Sequence, residues 1–335
     1  MAIIGERGVG KQTLGRELSR LLDQPVEPIL LYQDMSSRDL LQQRDTDVNG
    51  NTVWRHSPLV KAAVEGRLAL VDGIDRLYPG TLALIQRLTQ DRELTLHDGT
   101  RLLGADRFEQ TAKEAGLTDS EMAERGICKI HPAFRICAFA ERPTSKNKWL
   151  TPEIIPSFIW HELAPLDKAN ESKLLEQLAG LNHETATGIA NLAHNLRNSH
   201  DDGLRSVAKS YSTKQLLRIG RRITTFPQLD LQKELERAAM ARFLPLTTQE
   251  ALKSHLDQFG SKSDRATAST EIVQTENELR IGRVSCSIKP AAEPKKVPAP
   301  LFYHNDAQDA VLESLLSDWI LGEHLLLVGN QVSHQ

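Results

Sequence analysis

Over the first 165 residues, short apolar runs alternate with stretches of helical periodicity, the pattern of an open parallel sheet covered by helices. Ile3-Ile4 is the first apolar run, and Gln12 to Leu22 repeats apolar positions at helical spacing. Pro28 to Tyr32 reads as a second strand, and Ser36 to Arg44 as a helix opened by a serine cap. Ser57 to Gly66 is a helix with a glycine stop. It feeds Leu68-Ala-Leu-Val-Asp72, apolar enough for a strand buried on both faces. A helix from Gly80 to Gln90 follows, then alternation on both sides of Asp98-Gly99, a strong hairpin signal. Phe134 to Ala140 and Ser157 to Leu163 are the last strands.

Residues 166–258 change character. Helical patterns follow one another with no strand between them, which predicts a small all-α domain. Residues 259–300 are polar and then proline-rich, a linker by composition, with a possible solvent-facing hairpin inside EIVQTENELRIGRVSCSI. Residues 301–335 repeat the opening: a helix, a turn, and a strand in which Leu326-Leu-Val-Gly329-Asn-Gln matches Ala2-Ile-Ile-Gly5-Glu-Arg. Such self-similarity is that of a tandem array, and the first strand is unusually short. The chain therefore reads as one repeat of a longer protein, ending within the next module, whose orphaned start should pack poorly or borrow a surface.

Composition narrows the chemistry only a little. A hydrophobic content of 40% with 25% charge is ordinary for a globular protein. A net charge of −3 offers no electrostatic footprint for nucleic acid. No apolar run approaches a membrane span, and no signal peptide is visible. Cys128, Cys137 and Cys286 are widely spaced, the usage of small buried hydrophobes in a reducing, intracellular setting. The histidines, His161 among them, lack metal-ligand spacing.

The chemistry sits in the first strand-to-helix turn. Gly5-Glu6-Arg7-Gly8-Val9-Gly10-Lys11 has the G-x-x-x-x-G-K form of a phosphate-binding loop, flanked by strand and helix as that motif requires. Successive backbone N–H groups, the helix dipole and the lysine all favour a polyphosphate there. The next residue normally supplies a hydroxyl to magnesium. Here it is Gln12, a weak ligand at best, and Thr13 lies about 100° away around the helix. Asp72, closing an apolar strand, is the expected carboxylate on the metal side. Gly73 follows it where a water-orienting glutamate is usual, and Asp75 reads as a solvated turn residue.

The ordered set GERGVGK, WRHSPLVKAAVEGRLALVDGIDRL, DRELTLHDGTRLL, HPAFRICAFAE and STKQLLRIGRRI resembles the dynein-related (midasin- and MoxR-like) branch of AAA+ ATPases. The resemblance covers residues 1–258, and more narrowly points to an interior module of a multi-module member carrying a distant von Willebrand A domain. It implies a P-loop NTPase core at 1–165 with strand order 5-1-4-3-2, a helical lid at 166–258, and ATP with Mg²⁺ as cofactors. It also implies neighbouring AAA+ modules as partners, a possible homo-oligomer, a protein substrate of unknown identity, and a mitochondrial location. In this branch an insert near the Asp98-Gly99 hairpin often faces a central pore.

Carried over residue by residue, the resemblance shows departures. Glu141 stands where the sensor strand usually ends in Asn. Ser157 occupies the place of the arginine finger. Lys214, with Arg218 one turn on, matches the lid's sensor arginine, keeping the charge without the fork. Gln12, Gly73, Glu141 and Ser157 together describe a module that holds nucleotide and hydrolyses it poorly. Two other readings stand beside it. One is an active motor in which Glu141 acts as a surrogate base, and the other is an interaction module that has lost nucleotide.

Overall fold

The computed structural model describes residues 1–145, 147–259, 271–299 and 302–327. They form two compact units, Met1–Leu166 and Asp167–Gln335.

In the first unit, β1 (Ala2–Gly5) leads through the glycine-rich loop into α1 (Lys11–Leu21), followed by β2 (Val26–Leu30). The expected helix at 36–44 is cut short. Ser36 and Asp39 form a capping box for α2 (Ser37–Leu41), and the chain then turns into a hairpin of β3 (Gln42–Thr46) and β4 (Thr52–His56). Asp47 closes that hairpin by accepting the N–H groups of Asn49 and Asn51 at 2.9 and 2.8 Å. Next come α3 (Pro58–Glu65), β5 (Leu68–Asp72), α4 (Pro79–Gln90) and the expected second hairpin, β6 (Glu93–Thr95) with β7 (Arg101–Leu103). Then α5 (Ala105–Ala115) and α6 (Asp119–Glu124) lead to β8 (Ile127–Lys129), which joins β7 in parallel. The unit closes with β9 (Arg135–Ala140) and β10 (Trp160–Leu163).

The main sheet is parallel, in the order β10-β1-β9-β5-β2. Numbered as the five strands of the core, this is 5-1-4-3-2. Alternate residues feed opposite faces: Ala2, Ala69, Val71, Ile136 and Ala138 on one, Ile3, Leu68, Leu70, Cys137 and Phe139 on the other. Each large apolar side chain so buried contributes about 1.5–3 kcal/mol. Burial pushes the Cys137 thiol up to about 11, as befits a cysteine used as a small hydrophobe. The register sets Ile3, Phe139 and Asp72 side by side, so the carboxyl ends of β1, β9 and β5 open on one edge.

The second unit opens with α7 (Lys168–Ala179), α8 (His183–Arg197), α9 (Asp202–Ala208), α10 (Thr213–Thr225), α11 (Leu231–Ala238) and α12 (Leu246–Leu256). Their apolar stripes close around Leu175, Ile189, Leu196, Tyr211, Leu216 and Leu235. At the centre Glu171 is wholly buried. Arg197 grips it with two bonds of 2.9 and 3.0 Å, and the Thr213 hydroxyl donates to it at 2.7 Å. The hairpin expected within the linker is a three-stranded antiparallel sheet of β11 (Ile272–Gln274), β12 (Glu278–Ile281) and β13 (Val284–Ser287). On it packs α13 (Asp306–Ile320), where Leu316 meets Ile281, Val284 and Phe226. Three arginines of the helical domain also hold this region: Arg222 and Arg237 pair with Asp318, and Arg218 with Glu323. The strand expected from Leu326 is not formed at Leu326 or Leu327, both exposed, and its remainder lies outside the described residues.

Candidate functional site

The loop between β1 and α1 turns because Gly8 and Gly10 take left-handed backbones, with φ of +75° and +98°. Gly10 is also the residue ahead of the first turn of α1, whose free N–H groups therefore face the loop. Gly15 brings that helix close to the sheet: a Cβ there would fall 2.6 Å from the ring of Phe139. Lys11 folds over the loop, donating to the carbonyls of Gly5 and Glu6 at 2.7 Å each. Its burial lowers its pKa, and the carboxylates of Glu141, Asp72 and Asp75 oppose that shift. Lys11 thus lies within the field of all three acids.

Asp72 ends β5, and Gln12 Nε2 donates to its Oδ2 at 2.7 Å. Gln12 thus presents a donor to Asp72 here, where it was expected to offer a cation a weak oxygen ligand. The end of the amide that meets Asp72 is a donor, and reversing it would set oxygen against oxygen. Thr13 is exposed on α1. Beside Gln12, Arg16, Asp72, Leu70 and Phe139 line a cleft of about 130 Å³ with residues 28–30. That is well below the roughly 300–1,000 Å³ usual for a whole small-molecule ligand. The loop and Lys11 fit a polyphosphate. The donor set fits magnesium poorly, and among the described residues no group of three or more His, Cys, Asp or Glu is placed to hold a metal ion.

Glu141 directly follows β9, and its carboxylate takes the Nε–H of Arg7 at 2.5 Å. That bond raises the pKa of the Arg7 guanidinium. The main chain of Glu141 is fixed as well: its N–H donates to Asp75 Oδ1 at 3.2 Å, and its carbonyl accepts from the Trp149 indole at 3.1 Å. Asp75 is therefore not the solvated turn residue expected. It is buried, and burial raises its pKa. The sequence signal was slight, a carboxylate one short turn beyond Asp72. Ser157, in the arginine-finger position, is buried against α4, where Gln90 donates to its hydroxyl at 3.4 Å.

Two features escaped the sequence reading. The hairpins β3–β4 and β6–β7 are clasped by Gln42 and Asp98, which exchange bonds of 2.8 and 3.2 Å. Trp54 stacks on His97 beside that clasp. In the second unit, Lys214 and Arg218 are both exposed on α10, and the Arg218 guanidinium is engaged by Glu323.

A parallel 5-1-4-3-2 sheet with a phosphate loop after its first strand and an acid at the end of its third defines a P-loop NTPase of the AAA+ type. Residues 1–158, which make up nearly all of the first unit, match the AAA domain (dynein-related subfamily). Among curated proteins it is similar to von Willebrand factor A domain-containing protein 8 of Mus musculus, 43% identical over 99% of this chain. The chain spans only 18% of that protein's length. It also matches Protein NorQ of Paracoccus denitrificans, 23% identical over 58% of this chain and 63% of the relative. Among solved structures, a variant of RuvB from Thermotoga maritima overlaps at a TM-score of 0.41 with 14% identity, covering 70% of this chain and 60% of that one. NtrX from Brucella abortus, in complex with ADP, overlaps at 0.41 with 13% identity, covering 76% and 56%.

Proposed function

We propose that this chain is a nucleotide-holding AAA+ module with impaired hydrolysis, working within a longer array. The observation that carries the reading is the convergence of the glycine loop, Lys11 and Asp72 at the carboxyl edge of the sheet, with Gly5 to Thr13 as the binding segment. A polyphosphate would replace the loop carbonyls as the partner of the Lys11 ammonium and take the free N–H groups of α1. By resemblance the family's nucleotide is ATP. The partners are then neighbouring modules or further copies, and the location is mitochondrial.

Hydrolysis needs a group that orients or deprotonates water. The residue after Asp72 is Gly73, and Glu141 is paired with Arg7. The burial of Ser157 leaves no finger at that position to stabilise charge developing in a neighbouring site. The Arg7 pairing also weighs against the motor reading, in which Glu141 would serve as a free base.

Isothermal titration of ATP and ADP, with a turnover assay on the same chain, tests the reading. Binding that Lys11→Ala abolishes, with turnover far below 1 s⁻¹, is expected. Turnover of about 1 s⁻¹ or more, within the ordinary enzyme range, would end it, as would the absence of any nucleotide binding.

A further inference from the structure

The position after the loop lysine carries the inference, which rests on the nucleotide-binding reading above. A hydroxyl there can give an oxygen lone pair to a cation. Gln12 instead turns an N–H to Asp72 Oδ2 at 2.7 Å, so the acid on the metal side already has a partner from the first turn of α1. The Lys11 ammonium acts on the same carboxylate. Magnesium demands near-octahedral oxygen ligands at about 2.0–2.1 Å and sheds water reluctantly. To enter here it would have to break a hydrogen bond to a charged acceptor and then accept one neutral amide oxygen in return.

We propose that this site takes a nucleoside diphosphate without a divalent cation, the Gln12 amide standing in the place of the metal bridge between α1 and Asp72. The charges around the loop select the diphosphate. Lys11 and the amides of the loop serve the inner phosphates. A third phosphate would reach toward Asp72 and Glu141, and the guanidinium of Arg7 is already paired with Glu141. In a Mg²⁺-dependent site the metal neutralises that outer phosphate. Here a single guanidinium, Arg16, lines the cleft beside Asp72 against the carboxylates of Asp72 and Glu141, so the outer phosphate gains less than a divalent cation would give it and the diphosphate is favoured. The ligand is thus recognised by its two phosphates, and the site behaves as a metal-indifferent anchor.

The test is calorimetric titration of ADP and ATP into the 335-residue chain, in excess Mg²⁺ and again in excess EDTA, with Gln12→Ser in parallel. For the unaltered chain, the ADP dissociation constant should change by less than about threefold between the two conditions. In EDTA, ADP should bind at least about tenfold more tightly than ATP. Gln12→Ser, which restores a hydroxyl at an exposed position, should become metal-dependent, with Mg²⁺ tightening binding by about tenfold or more. Equal thermal unfolding of the two proteins without nucleotide shows that the substitution leaves the fold intact. Mg²⁺ strengthening ADP binding to the unaltered chain beyond threefold overturns the proposal, as does a Gln12→Ser protein that stays indifferent to the metal. If the unaltered chain binds neither nucleotide in either condition, the nucleotide-binding reading itself has failed, a result distinct from either of these.

Discussion

Glu171→Leu puts the packing logic of the helical unit to a quantitative test. Glu171 is fully buried and accepts from Arg197 twice and from Thr213 once, while Arg197 also donates to the Tyr211 carbonyl at 2.8 Å. Removing one partner of a buried ion pair costs about 3–5 kcal/mol, because the other charge is left without compensation. Two features set the value here. The Arg197 side chain retains 18% exposure and keeps its bond to Tyr211, so water recovers part of the loss. The Thr213 hydroxyl, at the start of α10, is left without its acceptor and has no such relief. We therefore expect about 3 kcal/mol of destabilisation, at the lower end of that range. The double variant Glu171→Leu/Arg197→Met should regain most of it, since a buried pair replaced by apolar groups of similar volume is often close to neutral.

Denaturant unfolding followed by far-UV circular dichroism reads the helical unit. Of the four tryptophans, Trp54, Trp149 and Trp160 lie in the first unit and Trp319 in α13 of the second, so the main fluorescence transition reports the first unit and should stay unchanged. Two units need not unfold as one transition, so each signal is fitted separately. A single-variant loss below about 1 kcal/mol would refute the reasoning, as would a double variant as unstable as the two singles added together.

Gly15→Ala sets two effects against each other. Alanine in a helix interior gains about 0.5–1 kcal/mol, but overpacking a well-filled core costs about 1–3. Phe139, whose ring lies 2.6 Å from the new Cβ, is fully buried and cannot yield, so a lower melting temperature for the nucleotide-binding unit is expected. An unchanged or higher value would show that α1 can lift from the sheet. Asp75 tests pH dependence. Burial raises its folded pKa above the ordinary 3.8, so the folded chain holds that proton longer than the unfolded one. Its contribution is fully present at low pH and falls as pH rises through the window above 3.8. Asp75→Asn should flatten the stability profile in that window and equal or exceed the parent at neutral pH; a steeper profile would contradict the burial argument.

The core of the fold was legible because its signals are local and redundant. Strand, glycine loop and amphipathic helix follow one another in the first 22 residues, and Leu68–Val71 is apolar enough to require burial on both faces. The β3–β4 hairpin was not legible, because β3 is polar on both faces, the adjacent Val53 and Trp54 of β4 give no alternation, and the turn depends on Asp47 accepting the N–H groups of Asn49 and Asn51. The sites of α5 and α6 left only punctuation in the sequence: glycines at 104 and 116, then a Thr118–Glu121 capping box. At the candidate site the residue types pointed to Lys11 and Asp72. The partnerships of Arg7 with Glu141 and of Asp75 with the Glu141 amide join residues far apart in the chain, which no local pattern encodes.

The three arginines fastening Asp318 and Glu323 have a mechanical consequence. Two of them sit a turn apart on α10 and the third on α11, so the last turn of α13 is held at Asp318 from both helices and the chain just beyond it at Glu323. Any tilt of α10 swings residues 306–323 with it, like an outrigger bolted to a hull, and whatever stretch of chain is attached there inherits the roll.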